Sequence, residues 1–221
     1  MEELNLKELA ESIAEVKIKL TQDQIDLILS KTKEGFNKFY LLPSIELQQE
    51  YLIKIREEAG KPMYGLKKGQ QYEEKFYVDP RNEFEPNFPD KIATLNRPEN
   101  KCYFLFIKDT LEASEETLGR KFDVLRELFQ KRKESGLTLF EYLLWQRDYI
   151  RRHKNEEKPH PDSRLMNIWL LDSELAKNSS EPGRILYTHW NYDHIEIEAP
   201  SMYINPHTYF KSRSSVVFEI L

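Results

Sequence analysis

With 221 residues, 39% of them hydrophobic and 12% aromatic, the chain can bury a core without staples, removing roughly 70% of its unfolded surface. A net charge of −5 argues against a nucleic-acid binder that works by bulk charge, and no run approaches the ~18 apolar residues of a membrane span. The single cysteine, Cys102, excludes an intrachain disulfide and fits a reducing, cytoplasmic setting.

Residues 1–60 read as a helical N-terminal region. The start, MEELNLKELAESIAE, is acidic and amphipathic and has neither the basic flank nor the apolar centre of a signal peptide. Asn5 with Glu8 forms a capping pattern ahead of Leu9, Ile13, Val16 and Leu20. Thr21 with Gln24 repeats it, which predicts a second helix carrying Ile25, Ile28, Leu29 and Phe36. Pro43-Ser44 opens a third, with Leu47, Tyr51 and Ile55 on one face, ending at Gly60.

Residues 61–100 change character, with five prolines among charges and scattered aromatics. The plainer reading is a long loop pinned by Phe76, Tyr77, Phe84 and Phe88, with a short strand at KFYV. The functional reading is a lid or docking arm, since long structureless loops in compact proteins often carry function. Tyr64, Tyr72, Phe84 and Phe88 are then its binding candidates.

Residues 101–221 read as an α+β domain. CYFLFI has the aromatic and β-branched content of a buried strand, which makes Cys102 a buried, inert thiol. A helix is predicted from about Glu115 to Lys133, with Leu118, Phe122, Leu125 and Phe129 on one face and Gly136 as its terminator. Thr138 and Glu141 form the clearest capping box, opening LFEYLLWQRDYIRRHK with basic residues in its last turn. After the polar linker NEEKPHPDS, strands are predicted at RLMNIWLL, GRILYTHW, HIEIEA and SVVFEIL.

The sharpest functional hint is THWNYDH, residues 188–194, one letter from the T-H-x-H-x-D-H zinc string of metallo-β-lactamase-type hydrolases. His189, Asp193 and His194, with His207 downstream, are the catalytic or metal-ligating candidates. Asn191 stands where that string needs a histidine, and a neutral amide binds zinc far more weakly than imidazole. The flanks favour a β-hairpin, with turn residues at 191–193 and Ile195 and Ile197 on the core face. No metal and no cofactor are therefore expected.

NPHTYFKSRSS, residues 205–215, offers His207, Tyr209, Arg213 and three serines as an anion- or substrate-binding edge. No G-x-S-x-G elbow supports a serine nucleophile. Lys131–Lys133 and Arg151–Lys154, with Trp145 and Tyr149 as stacking rings, are the single-stranded nucleic-acid candidates. Helix-end charge compensation accounts for both clusters without a ligand.

CYFLFIKDT, GLTLFEYLLW with its LT-x-x-E, RLMNIWLL and the closing N-P-H-T-aromatic string also carry a resemblance. Residues 100–218 resemble a bacterial family of small cytoplasmic proteins without assigned function. That resemblance implies a single α+β unit with a helical N-terminal extension and brings no catalytic residues.

The expected fold is α+β, a helical N-terminal region packed on a mixed, mostly antiparallel sheet with two long helices. The expected function is a non-catalytic binding or regulatory protein that offers a sheet edge and the 61–100 segment to a protein partner, through Tyr64, Tyr72, Phe84, Phe88, Trp190, Tyr209 and Arg213. The alternatives are a hydrolase centred on His189, Asp193, His194 and His207, and a nucleic-acid accessory protein. Neither a nucleic acid nor a membrane is expected as partner.

Overall fold

The computed structural model describes residues 20–50, 52, 76–78, 92–153, 162, 166–175, 184–191, 194–198 and 209–219. Residues 76–78, 147, 175, 190, 191, 194–196 and 198 are described by their backbone. The first predicted helix, Tyr51, Ile55, Tyr64, Tyr72, Phe84, Phe88, Asp193 and His207 lie outside the described residues.

Helix α1 (Gln22–Lys33) begins where the sequence places it. Thr21 Oγ1 accepts from the Gln24 N–H at 3.2 Å, and Gln24 Oε1 accepts from the Thr21 N–H at 2.9 Å. Two donors that a helix start leaves unpaired are so satisfied. The helix stops before Phe36, because Gly35 takes φ +94° and turns the chain into strand β1 (Lys38–Leu42). The reading of the first sixty residues as all helix is corrected by that strand. Residues 45–50 are helical, but Gln48 and Leu52 form their buried side and Leu47 is exposed.

Strands β2 (Phe76–Val78) and β3 (Ile92–Thr94) lie in the segment read as a loop, β2 at the predicted KFYV. Strand β4 (Tyr103–Ile107) starts one residue after Cys102, so the thiol is exposed rather than buried. The predicted 115–133 helix is broken. A 3₁₀ turn at Glu115–Thr117 leads to Gly119 at φ +68°, and α2 (Phe122–Lys131) starts only afterwards. Leu118 is consequently exposed, and Gly136 falls in the short strand β5 (Ser135–Gly136).

Helix α3 (Leu139–His153) opens on the predicted capping box, with Glu141 N–H to Thr138 Oγ1 at 3.2 Å and Thr138 N–H to Glu141 Oε2 at 2.9 Å. Strands β6 (Asn167–Leu175), β7 (Arg184–Asn191), β8 (His194–Glu198) and β10 (Ser214–Glu219) match the four predicted runs. Strand β9 (Phe210–Ser212) arises in the stretch read as a polar loop.

The fold is α+β, built on two sheets rather than one. The first has the order β1-β4-β10-β5 and is antiparallel. The second has the order β2-β8-β7-β6-β3, with β9 also paired to β6, and its β2–β8 and β6–β9 pairs are parallel. The helices over residues 122–153 have 10 and 15 residues.

Alternation along the strands sets the layers. Tyr103, Leu105 and Ile107 of β4 join Ile168, Leu170, Leu186 and Ile197 of the second sheet in one core with α3. Helix α3 is accordingly buried around most of its circumference, Trp145 completely. On the far side of the first sheet, Ile28 of α1 and Phe36 cover Phe106, Val216 and Phe218. On the far side of the second, Leu125 and Phe129 of α2 cover Trp169, Leu171, Ile185, Tyr187 and Phe210. Helix, sheet, helix, sheet and helix therefore follow one another. Among the described residues no helix is long and apolar enough to cross a membrane.

Candidate functional site

The pairing of β6 with β7 slips between Leu170 and Glu174. Such a slip re-aims side chains and frees backbone groups. Here Asp172 turns to Arg97 and Asn96, Oδ2 accepting from Arg97 Nη1 at 2.8 Å and Oδ1 from Asn96 Nδ2 at 2.9 Å. Ser173 Oγ accepts from the Leu139 N–H at 2.8 Å, and Arg126 Nε donates to the freed Leu171 carbonyl at 3.0 Å.

Arg97 is the hub. Nε and Nη2 grip Glu141 at 2.6 and 2.7 Å, Nη1 also reaches the Asn96 carbonyl at 3.0 Å, and Nη2 the Gly136 carbonyl at 2.7 Å. All five guanidinium N–H bonds are thereby used. Tyr103 donates to Glu141 Oε1 at 2.7 Å and accepts from Gln48 Nε2 at 3.0 Å. The Arg97 and Glu141 side chains have 0% exposure, so the cluster joins elements and offers nothing to a substrate. Sequence reasoning found Glu141 as a cap and missed Arg97, whose RPEN context carries no motif.

Arg213, a sequence candidate, is the centre of a second buried pair. Its Nε and Nη2 hold Asp162 at 2.9 and 2.7 Å, and Nη2 reaches the Thr110 and Leu111 carbonyls, each at 3.1 Å. The guanidinium lies 4.0 Å from the Trp145 ring centroid. Ala113 N–H and Tyr142 OH donate to the same carboxylate at 3.0 and 3.1 Å. Burial, with the Asp162 charge beside it, pushes the Tyr142 hydroxyl well above its ordinary range.

A cleft of about 210 Å³ opens beside this pair, lined by Lys108, Ser114, Glu116, Arg213, Ser214 and their neighbours. Its charges are largely spoken for, since Glu116 is gripped by Arg132 at 2.6 and 2.8 Å. No histidine or cysteine lines it, so it lacks a nucleophile and base pair of the usual kind.

THWNYDH folds as a hairpin. Asn191 pairs with His194 across residues 192–193, and His189 pairs with Glu196. Ile197 enters the core as expected. His189 is half-buried, its ring 5.9 Å from that of Tyr187. Trp190 lies in β7 by its backbone. Tyr209 is 55% exposed at the start of β9. Among the described side chains no group of three His, Cys, Asp or Glu is gathered for a metal. Trp145 and Tyr149 are buried in the core at 0% and 5% exposure, which removes the stacking surface the nucleic-acid reading needs.

The 3₁₀ turn and Gly119 are bonded to β9. Gly119 N–H donates to the Phe210 carbonyl at 2.8 Å, and Thr117 Oγ1 bonds the Ser212 N–H and carbonyl at 3.1 and 3.2 Å, so 117–119 covers β9. Strand β1 ends the first sheet with no further described strand beside it. Phe39 stacks on Phe106 on the α1 side of that sheet, and alternation places Leu41, 51% exposed, on the same side. Gln24 and Lys31 lean from α1 towards β10 and Glu134, so helical spacing turns Ile25 and Leu29 towards β1. Both are exposed.

Comparison of the chain with family models, curated proteins and solved structures finds no match.

Proposed function

We propose that the protein is a cytoplasmic, non-catalytic binding protein, and that β1 receives an extended segment of a protein partner as an added strand. The carrying observation is that β1 ends the first sheet with no further described strand beside it, with Leu41 exposed on the side that α1 covers and the α1 residues Ile25 and Leu29 exposed as well. An added strand takes its affinity from backbone hydrogen bonds and its specificity from alternate side chains. The segment that fits is apolar at every second position, to cover that shelf. The inward pairing of Arg97, Arg213 and their carboxylates supports a binding role over a catalytic one, as does a cleft lined by neither histidine nor cysteine.

A photo-crosslinking residue at position 41, in cells of the source organism, tests the reading. It predicts one discrete heterologous adduct that Leu29→Lys abolishes and that the same group at the exposed position 124 does not form. Failure to form an adduct, or identical adducts from both positions, would remove the reading. An adduct of twice the chain mass would overturn a separate partner in favour of a second copy.

A further inference from the structure

The cleft beside Arg213 is lined by hydrogen-bond donors that the fold itself leaves over. Ser215 pairs with Ile107 across β10 and β4, so one step further places Ser214 opposite Lys108, and both line the cleft. Among the described residues no carboxylate lies within ion-pair distance of Lys108, whose Nζ is held 5.0 Å from the Phe36 ring centroid. The Ser214 hydroxyl likewise has no partner among them. The Asp162 fork occupies Nε and Nη2 of Arg213, while Nη1 meets only Thr110 Oγ1, at 3.3 Å. One Nη1 N–H is therefore unspent on a side chain that is only 5% exposed. The other hydroxyls of the lining are used, Thr117 on the Ser212 backbone, Ser212 on the Trp169 carbonyl and Ser114 on Glu116. Phe129 and Leu137 supply an apolar part of the same wall.

We propose that this cleft binds a small monocarboxylate, its oxygens accepting from Lys108, Ser214 and Arg213 Nη1 and its short carbon chain lying against Phe129 and Leu137. Leftover donors with no matching acceptor call for a ligand that accepts, and a charged acceptor makes the stronger bonds. The lysine ammonium supplies a compact positive charge, and its packing over Phe36 limits the freedom lost on binding. Glu112 also lines the cleft and disfavours a second negative charge, which favours a carboxylate over a phosphate dianion. The volume of about 210 Å³ is far below that of a drug-sized pocket. Measured against a water's share of ~30 Å³, it suits a ligand of about seven heavy atoms.

None of Ile25, Leu29 and Leu41 lines the cleft, so this proposal and the β1 reading can fail separately. The full chain, labelled with ¹⁵N, is titrated with pentanoate, pentylamine and inorganic phosphate while its amide shifts are followed by NMR. Pentanoate should bind saturably, with the largest shifts at Ser114, Arg213 and Ser214, and more tightly than either other probe. Lys108→Gln should weaken pentanoate about tenfold or more and Ser214→Ala about threefold, whereas Lys101→Gln at an exposed position should leave it unchanged. Should Lys108→Gln fail to fold, Ser214→Ala and the wild-type shift map decide. No saturable shift up to about 50 mM pentanoate overturns the proposal, since a ligand this small that fits its site binds below that level. So does unchanged binding by Lys108→Gln, or phosphate or pentylamine binding as tightly as pentanoate.

Discussion

Arg97 and Glu141 meet in a two-pronged ion pair, at 2.6 and 2.7 Å, from which solvent is completely excluded. The pair ties the segment before β4 to the first turn of α3, and Asp172 on β6 shares the same guanidinium. Removing one partner of a buried pair leaves an uncompensated charge, which costs about 3–5 kcal/mol. Glu141→Gln should lose stability in that range by urea unfolding. Arg97→Met should lose more, because it strands two carboxylates. A loss below about 1 kcal/mol for either would show that water reaches the cluster.

Two aspartates should give pH dependences of opposite sign. Burial raises the Asp172 carboxyl above its usual range, and the Arg97 and Asn96 contacts offset this only in part. A raised folded pKa means that its contribution is fully present below the unfolded value of about 3.9 and falls as pH rises through the folded value. Burial also pushes Asp148 up, but the bonds from Tyr40 at 2.7 Å and Lys38 at 3.2 Å prevail and lower it. Its contribution is present above about 3.9 and is lost as pH falls. Urea unfolding from pH 3 upward should therefore show the wild-type advantage over Asp172→Asn shrinking with pH, and that over Asp148→Asn growing. Parallel curves for the two variants would contradict the assignment.

What the sequence revealed and what it hid divide along a physical line. Thr21 with Gln24 and Thr138 with Glu141 were legible because capping is local, three residues apart in the chain. Strands β6, β7 and β10 were legible because an apolar run survives reading in isolation, and β8 because its apolar residues alternate with polar ones. Arg97 was invisible, since its partners lie 44 and 75 residues away. The break at Gly119 was missed because apolar spacing continues across it, whereas the chain turns there to cover β9. In THWNYDH the turn was legible from Asn191, but only the strand register shows that Glu196 is the residue paired with His189.

Gly136 and Gly35 should respond differently to a methyl group. A Cβ at Gly136 would lie 2.4 Å from the Cβ of Leu171, which is buried under α2. Neither β5 nor β6 can retreat without parting from its neighbours, so Gly136→Ala should cost about 1–3 kcal/mol through overpacking. Gly35 has open space around it, and only its φ of +94° resists a side chain. Gly35→Ala should thus cost about 1 kcal/mol from backbone strain alone. Gly136→Ala should also lower the Trp169 environment's order, seen as altered near-ultraviolet circular dichroism, while Gly35→Ala leaves that spectrum unchanged. Equal losses with equal spectra would refute the packing argument.

Among the described residues, two Arg–Asp forks differ mainly in burial. Arg213 and Asp162 have side-chain exposures of 5% and 1%, against 33% and 12% for Arg152 and Asp109. Both forks are bidentate, Arg152 reaching Asp109 at 2.6 and 2.8 Å. In the buried fork Asp162 also accepts from Ala113 and Tyr142, and its φ of +58° suits an asparagine as well as an aspartate. Asp162→Asn therefore tests the charge without straining the backbone, and it turns one acceptor into a donor facing Arg213. Its cost should be about 3 kcal/mol or more. Arg152→Ala should cost less than about 1 kcal/mol, because water solvates the fork and the Trp145 Nε1 bond to Asp109 at 3.1 Å survives. Raising the salt concentration should shrink the Arg152→Ala effect further and leave that of Asp162→Asn in place. Urea unfolding of both variants at low and high salt checks the order, and a reversal would show that the buried fork is already solvated in the wild type.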